Sequence, residues 1–401
     1  MPRNFRNAYG VTFGLLAVIV SLVLASGARA AQKKQDPHKR DSTSQANPQA
    51  QFGDLMWPEA PMTPRIKVVD VLASEADLGR KMTARESFMK FLTGAKPQLP
   101  HIYQPRDVAV SDDGMRVYAS DFGESAIFIF DLEKRKVRTM PSEHPFGLAL
   151  DAQENLYVVE QESKRIVVFD PQGNKLRTIT NEQLIRPTDI TIDRERQLLY
   201  VADPAKSVSA DHSVKVFTLE GKFVRRIGNG KGDCKGCLFF PTYVATDKQG
   251  NVYVTSTLNS RVDVFNIAGD YLKTIGERGT GFGMFDKPKG IALDSFGNIY
   301  VADSGWSNVQ IFNQKGEVLL FFGGRGDFPG LLKNPTGIAI DRDNKIYVAD
   351  YLNYRVTVYQ LINTKVGDGD MTLPPLREAI EKTATKETPA NSHRASASAP
   401  Q

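Results

Sequence analysis

Cysteine is almost absent from this chain of 401 residues, which contains only Cys234 and Cys237. With no second cysteine pair and few histidines, a four-ligand zinc site is not expected. Leucine follows Cys237, so the Cys-x-x-Cys-His motif for haem attachment is also missing. In an exported chain the pair predicts a local disulfide that fastens a loop. The alternative is a redox-active dithiol, although nothing around the pair resembles thioredoxin.

Histidine is scarce as well, with five in the chain. Two lie outside the repeated region described below, which leaves His101, His144 and His212. A metal-dependent lyase of the relevant fold needs several histidines that converge on one channel, and only His144 is well placed for that. The chain has no Walker loop, Ser-His-Asp order or paired catalytic carboxylates. We therefore predict no catalytic residue, no bound metal and no cofactor.

Long apolar runs are missing except near the N-terminus. Residues 11–24 are apolar, Arg3 and Arg6 precede them, and Ala28-Arg29-Ala30 follows. This order predicts a cleaved signal peptide over residues 1–30, and the alternative is an uncleaved anchor in the inner membrane. No cysteine follows the apolar run, which argues against a lipoprotein. We expect a periplasmic or secreted protein that meets the membrane only through this segment.

The net charge of +5 gives little indication of a partner. Residues 1–30 contain three arginines and no acid, so removing them leaves 48 basic against 46 acidic residues. A near-neutral chain lacks the basic footprint of a nucleic-acid-binding domain. We therefore do not expect nucleic acid as a partner.

One sequence pattern occurs six times, and its clearest copy covers residues 334–359. The copies align on their prolines, which are Pro105, Pro145, Pro187, Pro241, Pro288 and Pro335. The spacing of 40 to 54 residues suits one four-stranded blade per copy. The repeat predicts an all-β, six-bladed β-propeller over residues 65–363. Its blades are expected to start near residues 104, 144, 186, 240, 287 and 334.

The last copy lacks a fourth strand, whereas residues 65–72 form an unpaired strand pattern before the first copy. We predict that this N-terminal strand completes the sixth blade and closes the ring. Residues 75–92 have a helical pattern whose apolar side is expected to pack on the propeller, rather than on a partner helix. Residues 31–64 are predicted to be a disordered or extended linker, and residues 364–401 a disordered tail.

The copies resemble NHL repeats. The motif is best seen in Pro288-Lys289-Gly290-Ile291-Ala292-Leu293-Asp294, then in residues 299–303 and 309–312. The order of segments around the blades is similar to that in a group of exported bacterial six-bladed propellers of unsettled activity. NHL propellers bind proteins, RNA or carbohydrate, and a few related six-bladed propellers are metal-dependent lyases or lactonases. The resemblance therefore implies a propeller but not one activity.

In such propellers, the loops into the first strands and those between the second and third strands lie at one end, which we name the mouth face. We predict that binding residues lie there: Arg106, Asp107, His144, Arg186, Asp189, Tyr243, Lys287 and Lys289. The basic bias suits an anionic ligand or an acidic partner segment. The simpler interpretation is a solvated rim whose cations pair with Asp107 and Asp189.

Each second strand ends in a polar residue, and these are Asp121, Glu160, Asp203, Ser256, Asp303 and Asp350. A ring of carboxylates could bind a metal ion. The repetition in nearly every blade favours a structural role instead, because a binding site needs only one such geometry. Arg165, Arg261 and Arg355 start the next strand and are placed to pair with these residues.

Trp306, Tyr351 and Tyr354 lie in loops of blades five and six on the mouth face, where they could form one aromatic patch or pack locally. Aromatic residues are frequent anchors at interfaces. We expect a non-enzymatic binding or scaffold module that recognises a protein or polymer of the cell envelope through this face. The alternative function is a metal-dependent lyase or lactonase that uses the central channel. The sequence leaves the oligomeric state open.

Overall fold

The structure, a computed structural model, describes residues 55–95 and 98–363. The predicted signal peptide, residues 31–54 of the predicted linker and the predicted tail lie outside the described residues. The described residues form six antiparallel sheets that follow one another along the chain, as the repeat predicts. Among them, no helix has the length and apolar character needed to cross a bilayer.

The first three blades each contain four strands. Blade one consists of β3 (Pro105–Val110), β4 (Arg116–Asp121), β5 (Ala126–Asp131) and β6 (Lys136–Pro141). Blade two consists of β7 (Pro145–Leu150), β8 (Leu156–Glu160), β9 (Arg165–Phe169) and β10 (Lys175–Thr180). Blade three consists of β11 (Asp189–Asp193), β12 (Leu198–Asp203), β13 (Ser213–Thr218) and β14 (Phe223–Ile227).

The other three blades follow the same order, and the sixth also takes strands from the N-terminus. Blade four consists of β15 (Pro241–Thr246), β16 (Val252–Ser256), β17 (Arg261–Phe265) and β18 (Tyr271–Ile275). Blade five consists of β19 (Pro288–Leu293), β20 (Ile299–Asp303), β21 (Asn308–Phe312) and β22 (Val318–Gly323). Blade six consists of β23 (Pro335–Ile340), β24 (Lys345–Asp350), β25 (Arg355–Leu361), β2 (Ile66–Leu72) and β1 (Met56–Trp57).

The second strand of each blade packs between neighbouring blades. All five residues of β20 are buried, and its β-branched and aromatic side chains suit a strand that is covered on both faces. The turn before β20 is held by Asp294, whose carboxylate accepts hydrogen bonds from the main-chain N–H groups of Phe296 and Asn298. Gly297 completes this turn with a φ of 83°, a conformation that glycine adopts without strain.

The N-terminal strand closes the ring as predicted. β2 pairs with β25 in an antiparallel register that runs from Ile66 opposite Leu361 to Leu72 opposite Val356. The side chain of Trp57 then packs on Phe322 and Tyr359, with ring centroids 6.2 and 6.0 Å apart. Residues 55–64 therefore belong to the propeller, and the predicted linker extends too far.

The N-terminal helix, α1, is shorter than the predicted helical segment. It covers Ala84–Thr93, and it begins with a capping box in which Thr83 and Glu86 exchange hydrogen bonds. Helix α1 contains no buried residue, and Phe91 is 84% exposed. The prediction that the apolar side of residues 75–92 packs on the propeller holds for Leu78, which contacts the core before the helix begins, and is wrong for the helix itself. Residues 75–79 form a turn instead, because the Asp77 carboxylate accepts hydrogen bonds from the N–H groups of Ala73 and Ser74.

Candidate functional site

The mouth end of the central channel is shaped by the residue two positions after each proline. Three of these residues are glycines, namely Gly147, Gly290 and Gly337. The other three carry larger or charged side chains, namely Asp107, Asp189 and Tyr243. A Cβ atom on Gly147 would lie 2.5 Å from Asp189 Cα, so that no larger residue fits at this position. The three glycines thus leave the centre of the ring to the other three side chains.

Asp107 and Asp189 are buried and hydrogen-bond to each other. Each carboxyl group also accepts a hydrogen bond from the main chain. The Leu148 N–H donates to Asp107 Oδ2 at 2.8 Å, and the Val244 N–H donates to Asp189 Oδ2 at 2.9 Å. Burial raises the pKa of Asp107 to about 7 and that of Asp189 well above its usual range, and the charge of Asp107 adds to the rise at Asp189. The two carboxyl groups therefore retain a shared proton near neutral pH.

This pairing corrects the interpretation of Asp107 and Asp189 as counter-ions of a basic rim. Neither carboxylate lies within 4.0 Å of a cationic side chain among the residues that the structure describes. The sequence analysis predicted both acids at the mouth face, and the structure buries them. Their contact with each other was missed because it arises across the channel, between blades one and three.

Tyr243 reaches across the channel from blade four to blade one. Its phenolic hydroxyl donates a hydrogen bond of 2.8 Å to the main-chain oxygen of Arg106. Burial and the nearby charges of Asp107 and Asp189 raise the pKa of Tyr243 above its usual range, which keeps the hydroxyl protonated as a donor. Tyr243 and the two carboxyl groups thus form the floor of the mouth.

Arg106 lies above this floor between three aromatic rings. Its guanidinium carbon is 5.1 Å from the ring centroid of Phe122, 5.2 Å from that of Phe146 and 4.5 Å from that of Tyr351. Such cation–π contacts hold a guanidinium in place without neutralising its charge. The Nε atom is shielded from solvent and has no hydrogen-bond acceptor among the described residues.

The other predicted cations surround the same site. Lys289 is partly buried and donates to Asn334 Oδ1 at 3.2 Å, and Lys287 beside it is exposed. Burial, together with the charges of Arg106 and Lys287, lowers the pKa of Lys289 to about 8. Arg186 is exposed on blade three, where its guanidinium lies 5.3 Å from the Phe240 ring centroid. Across residues 55–95 and 98–363, none of these four cations has a carboxylate within 4.0 Å.

The polar residues that end the second strands hold the inter-blade loops, which confirms their predicted structural role. The Asp303 carboxylate accepts hydrogen bonds from the N–H groups of Asp286 and Lys287, and Asp203 does the same for Ile185 and Arg186. In the described part of the chain, no group of three or more histidine, cysteine or acidic residues has the arrangement of a metal site.

The predicted aromatic residues divide between two neighbourhoods. Tyr354 stacks on Tyr103 of the loop that enters blade one, with ring centroids 5.2 Å apart. Tyr351 contacts Arg106 instead, so both tyrosines extend the mouth site towards blade one. Trp306 is 40% exposed, and its indole N–H donates to Gly279 O in the loop between blades four and five.

The two histidines of the blades have different environments. His144 packs against Phe122, and its Nδ1 lies 3.1 Å from Glu162 Oε2 without hydrogen-bond geometry. His212 is buried, and its Nδ1 accepts a hydrogen bond from the Phe240 N–H. These contacts place His144 at the rim of the mouth and give His212 a structural role.

One ion pair crosses the opposite end of the channel. Below the floor, the channel encloses about 260 Å³ between mostly apolar residues of the six innermost strands. At the far end, Arg194 forms an ion pair of 2.7 Å with Asp112, which belongs to blade one. Exposed lysines at that end, such as Lys222, Lys248 and Lys315, also have no carboxylate within 4.0 Å among the described residues. The mouth differs in that Arg106 and Arg186 pack against aromatic rings.

Cys234 and Cys237 form the predicted disulfide, in the loop between blades three and four. In this loop the Cys237 N–H donates a hydrogen bond to Cys234 O. The next two inter-blade loops contain the same bond, from Met284 N–H to Gly281 O and from Leu331 N–H to Phe328 O. Arg261 caps the disulfide loop by donating to the carbonyl oxygens of residues 233, 234 and 237. Arg355 makes the same three contacts with residues 327, 328 and 331. The disulfide thus reinforces a turn that its counterparts form without one.

Comparison with known families agrees with the repeat pattern. Residues 332–359 match the family described as NHL repeat, and residues 286–313 match the beta-propeller repeat. Residues 332–359 thus carry an NHL repeat. "Protein brain tumor" of Drosophila melanogaster is 26% identical over 137 residues, which are 33% of this chain. The chain spans 12% of the length of that curated relative.

Solved structures similar to this NHL-repeat chain share its propeller fold. A gluconolactonase of Xanthomonas campestris has a TM-score of 0.52 and 17% identity over 75% of this chain and 98% of its own. A Bacteroides thetaiotaomicron protein of unknown function has a TM-score of 0.53 and 15% identity, over 65% of this chain and 70% of its own. At these identities, the likeness shows the fold alone.

Proposed function

We propose that this chain is an exported, non-enzymatic binding module that recognises a protein or polymer of the cell envelope through its mouth face. The observation that carries the proposal is the set of uncompensated cations around the closed end of the channel. Arg106 lies between three aromatic rings and Lys289 bonds to Asn334, so their side chains need little reordering when a ligand binds.

The floor of the mouth supports surface recognition. Tyr243 and the Asp107–Asp189 pair fill the centre of the ring, so a ligand on the mouth face rests on them and does not enter the channel. The exposed cations Arg186 and Lys287 extend the positive surface around this centre. Positive charge spread over one face attracts an acidic partner and speeds its association.

Capture from the native envelope fraction tests this function. The immobilised wild type is compared with a variant that combines Arg106→Gln, Arg186→Gln and Lys289→Gln. The matched control combines Lys222→Gln, Lys248→Gln and Lys315→Gln, three exposed cations in turns at the opposite end. All proteins are first compared by circular dichroism and melting temperature. We expect one component to be captured by the wild type and the control but not by the mouth variant.

Equal capture by the wild type and the mouth variant would contradict binding through this face. Metal analysis of the purified protein tests the alternative, an enzyme at the central channel. A stoichiometric metal ion together with metal-dependent turnover of a lactone would show that the protein is an enzyme rather than a binding module.

A further inference from the structure

The guanidinium of Arg106 has unused hydrogen-bonding capacity. An arginine side chain carries five N–H donors, and none of them has an acceptor among the residues described. One of these donors, Nε, is also shielded from water, which is costly for a charged group. Buried donors of this kind usually have partners, so an unpaired one at a surface site indicates a missing acceptor.

Lys289 provides a second incomplete set of donors near Arg106. Its ammonium group has three donors, and Asn334 Oδ1 accepts one of them at 3.2 Å. Both cations contact blade six, since Lys289 bonds to Asn334 in the loop before β23 and Arg106 lies over Tyr351 in the loop after β24. Burial lowers the pKa of Lys289, and repulsion from Arg106 and Lys287 lowers it further. An anion between Arg106 and Lys289 would relieve this repulsion.

The floor limits the charge of that anion. Asp107 follows Arg106 in β3 and hydrogen-bonds to Asp189, and one proton shared by the two carboxyl groups leaves a single negative charge next to Arg106. A dianionic phosphate therefore meets more repulsion here than a carboxylate does. The planar guanidinium also matches the two oxygens of a carboxylate, which it can bind through two parallel hydrogen bonds.

The surroundings of the cations suit a peptide. Tyr351 and Tyr354 lie in the blade-six loop beside Arg106, and Trp306 lies in the corresponding loop of blade five. Tyrosine, tryptophan and arginine are the residues that contribute most to binding energy at protein interfaces. A peptide supplies both carboxylates for the cations and side chains that pack on these rings.

We propose that Arg106 and Lys289 together bind one side-chain carboxylate of an acidic peptide segment that lies across blades five, six and one. The inference rests on the proposed function, because it names the partner chemistry of the same face. Lys287 and Arg186 lie farther out and interact with additional acidic residues of the segment.

A labelled hexaglutamate peptide tests the inference by fluorescence anisotropy at two salt concentrations, with hexaglutamine and trigalacturonate as comparison ligands. We expect hexaglutamate to bind best and more tightly at low salt. Arg106→Gln and Lys289→Gln each remove a charge-assisted contact, so each should weaken binding by about tenfold. Arg106→Lys retains the charge but loses the two parallel bonds, and we expect an intermediate loss. The exposed Lys287→Gln should change affinity by less than about threefold, and Lys248→Gln at the opposite end should not change it.

Three results would overturn the inference: equal binding of hexaglutamine, tighter binding of trigalacturonate, or unchanged affinity in Arg106→Lys and Lys289→Gln at unchanged melting temperature. If Arg106→Gln proves unstable, an intermediate loss of affinity in Arg106→Lys beside a loss of about tenfold in Lys289→Gln still supports it. If hexaglutamate fails to bind while capture from the envelope still depends on the mouth cations, the acidic-peptide inference is wrong and the proposed function stands.

Discussion

Tyr243 of blade four and Arg106 of blade one meet across the central channel, where the tyrosine hydroxyl donates a 2.8 Å hydrogen bond to the arginine main-chain oxygen. The bond joins two blades that are not neighbours in the ring. It also fixes the main chain directly beneath the guanidinium that we assign to ligand binding. Closure of the channel and positioning of the binding residue thus depend on one side chain.

Tyr243→Phe should therefore destabilise the propeller by about 1–2 kcal/mol, because it removes one hydrogen bond and leaves a shielded carbonyl oxygen unpaired. Thermal melting measures this loss. The control is Tyr271→Phe, whose hydroxyl bonds to Thr274 at an exposed position, and which should leave the melting temperature nearly unchanged. Equal effects of the two substitutions would argue against a special role for the contact across the channel.

The Asp107–Asp189 pair should make stability depend on pH. Folding raises the pKa of Asp107 from 3.8 to about 7, so the native state holds more protons than the unfolded state in this window. Stability is therefore lost as the pH rises from about 4 to 7. In Asp189→Asn, the asparagine amide can donate to Asp107 without ionising. We expect the melting temperature of Asp189→Asn relative to that of the wild type to be about 2–4 °C higher at pH 8 than at pH 5.

Differential scanning calorimetry at both pH values measures this difference. Asp270→Asn is the control, because it makes the same chemical change at an exposed turn. A wild type that loses no more stability than Asp189→Asn between pH 5 and pH 8 would show that the pair does not retain a proton.

Because β2 closes the ring of blades, we expect a buried residue of this strand to stabilise the whole propeller. Ile66 is fully buried in blade six, so Ile66→Ala should cost about 2–5 kcal/mol in the free energy of unfolding. Its neighbour Lys67 is exposed, and Lys67→Ala should have little effect. Urea unfolding that is followed by both fluorescence and circular dichroism distinguishes a loss in the whole propeller from local fraying of blade six.

The disulfide should contribute modestly to stability. It closes a loop of four residues, for which chain entropy predicts about 2 kcal/mol, and Arg261 caps the same turn independently. We expect the Cys234→Ser, Cys237→Ser double variant to fold and to melt only a few degrees lower. Reducing agent should lower the melting temperature of the wild type by a similar amount and leave the double variant unchanged. A failure to fold without the disulfide would contradict this prediction.

The repeat made the architecture predictable, because each blade carries the same strand and turn signals. Tyr300 and Tyr347 recur at equivalent positions of the second strand, and the incomplete last blade revealed the need for β2. The floor of the mouth was not predicted, since Asp107, Asp189 and Tyr243 are far apart in sequence and meet only at the axis. The usable signal was that three of the six residues two positions after the prolines are glycine, which sets the other three apart.

Helix α1 shows another limit of sequence patterns. Phe88 and Phe91 contribute to an apolar pattern typical of a packed helix, yet both are exposed. A periodic pattern indicates which residues share a side of a helix, but it does not identify what covers that side. The mouth cations show the same limit. The sequence shows that they are arginine and lysine, but only the three-dimensional structure shows that no carboxylate of the described residues lies within 4.0 Å of them.

The pairing of β2 with β25 brings the first and last parts of the ring together. Arg65 Nη1 donates to Asn363 O, and Asn363 Nδ2 donates to Pro64 O, so residues 64 and 363 are neighbours. A circular permutant could therefore join these two positions with a short linker and open the chain at a turn between other blades. In the natural order, a force that pulls on both ends of the propeller would first separate the short β1–β2 pair and then act on β2–β25, the strand pair that holds the ring closed.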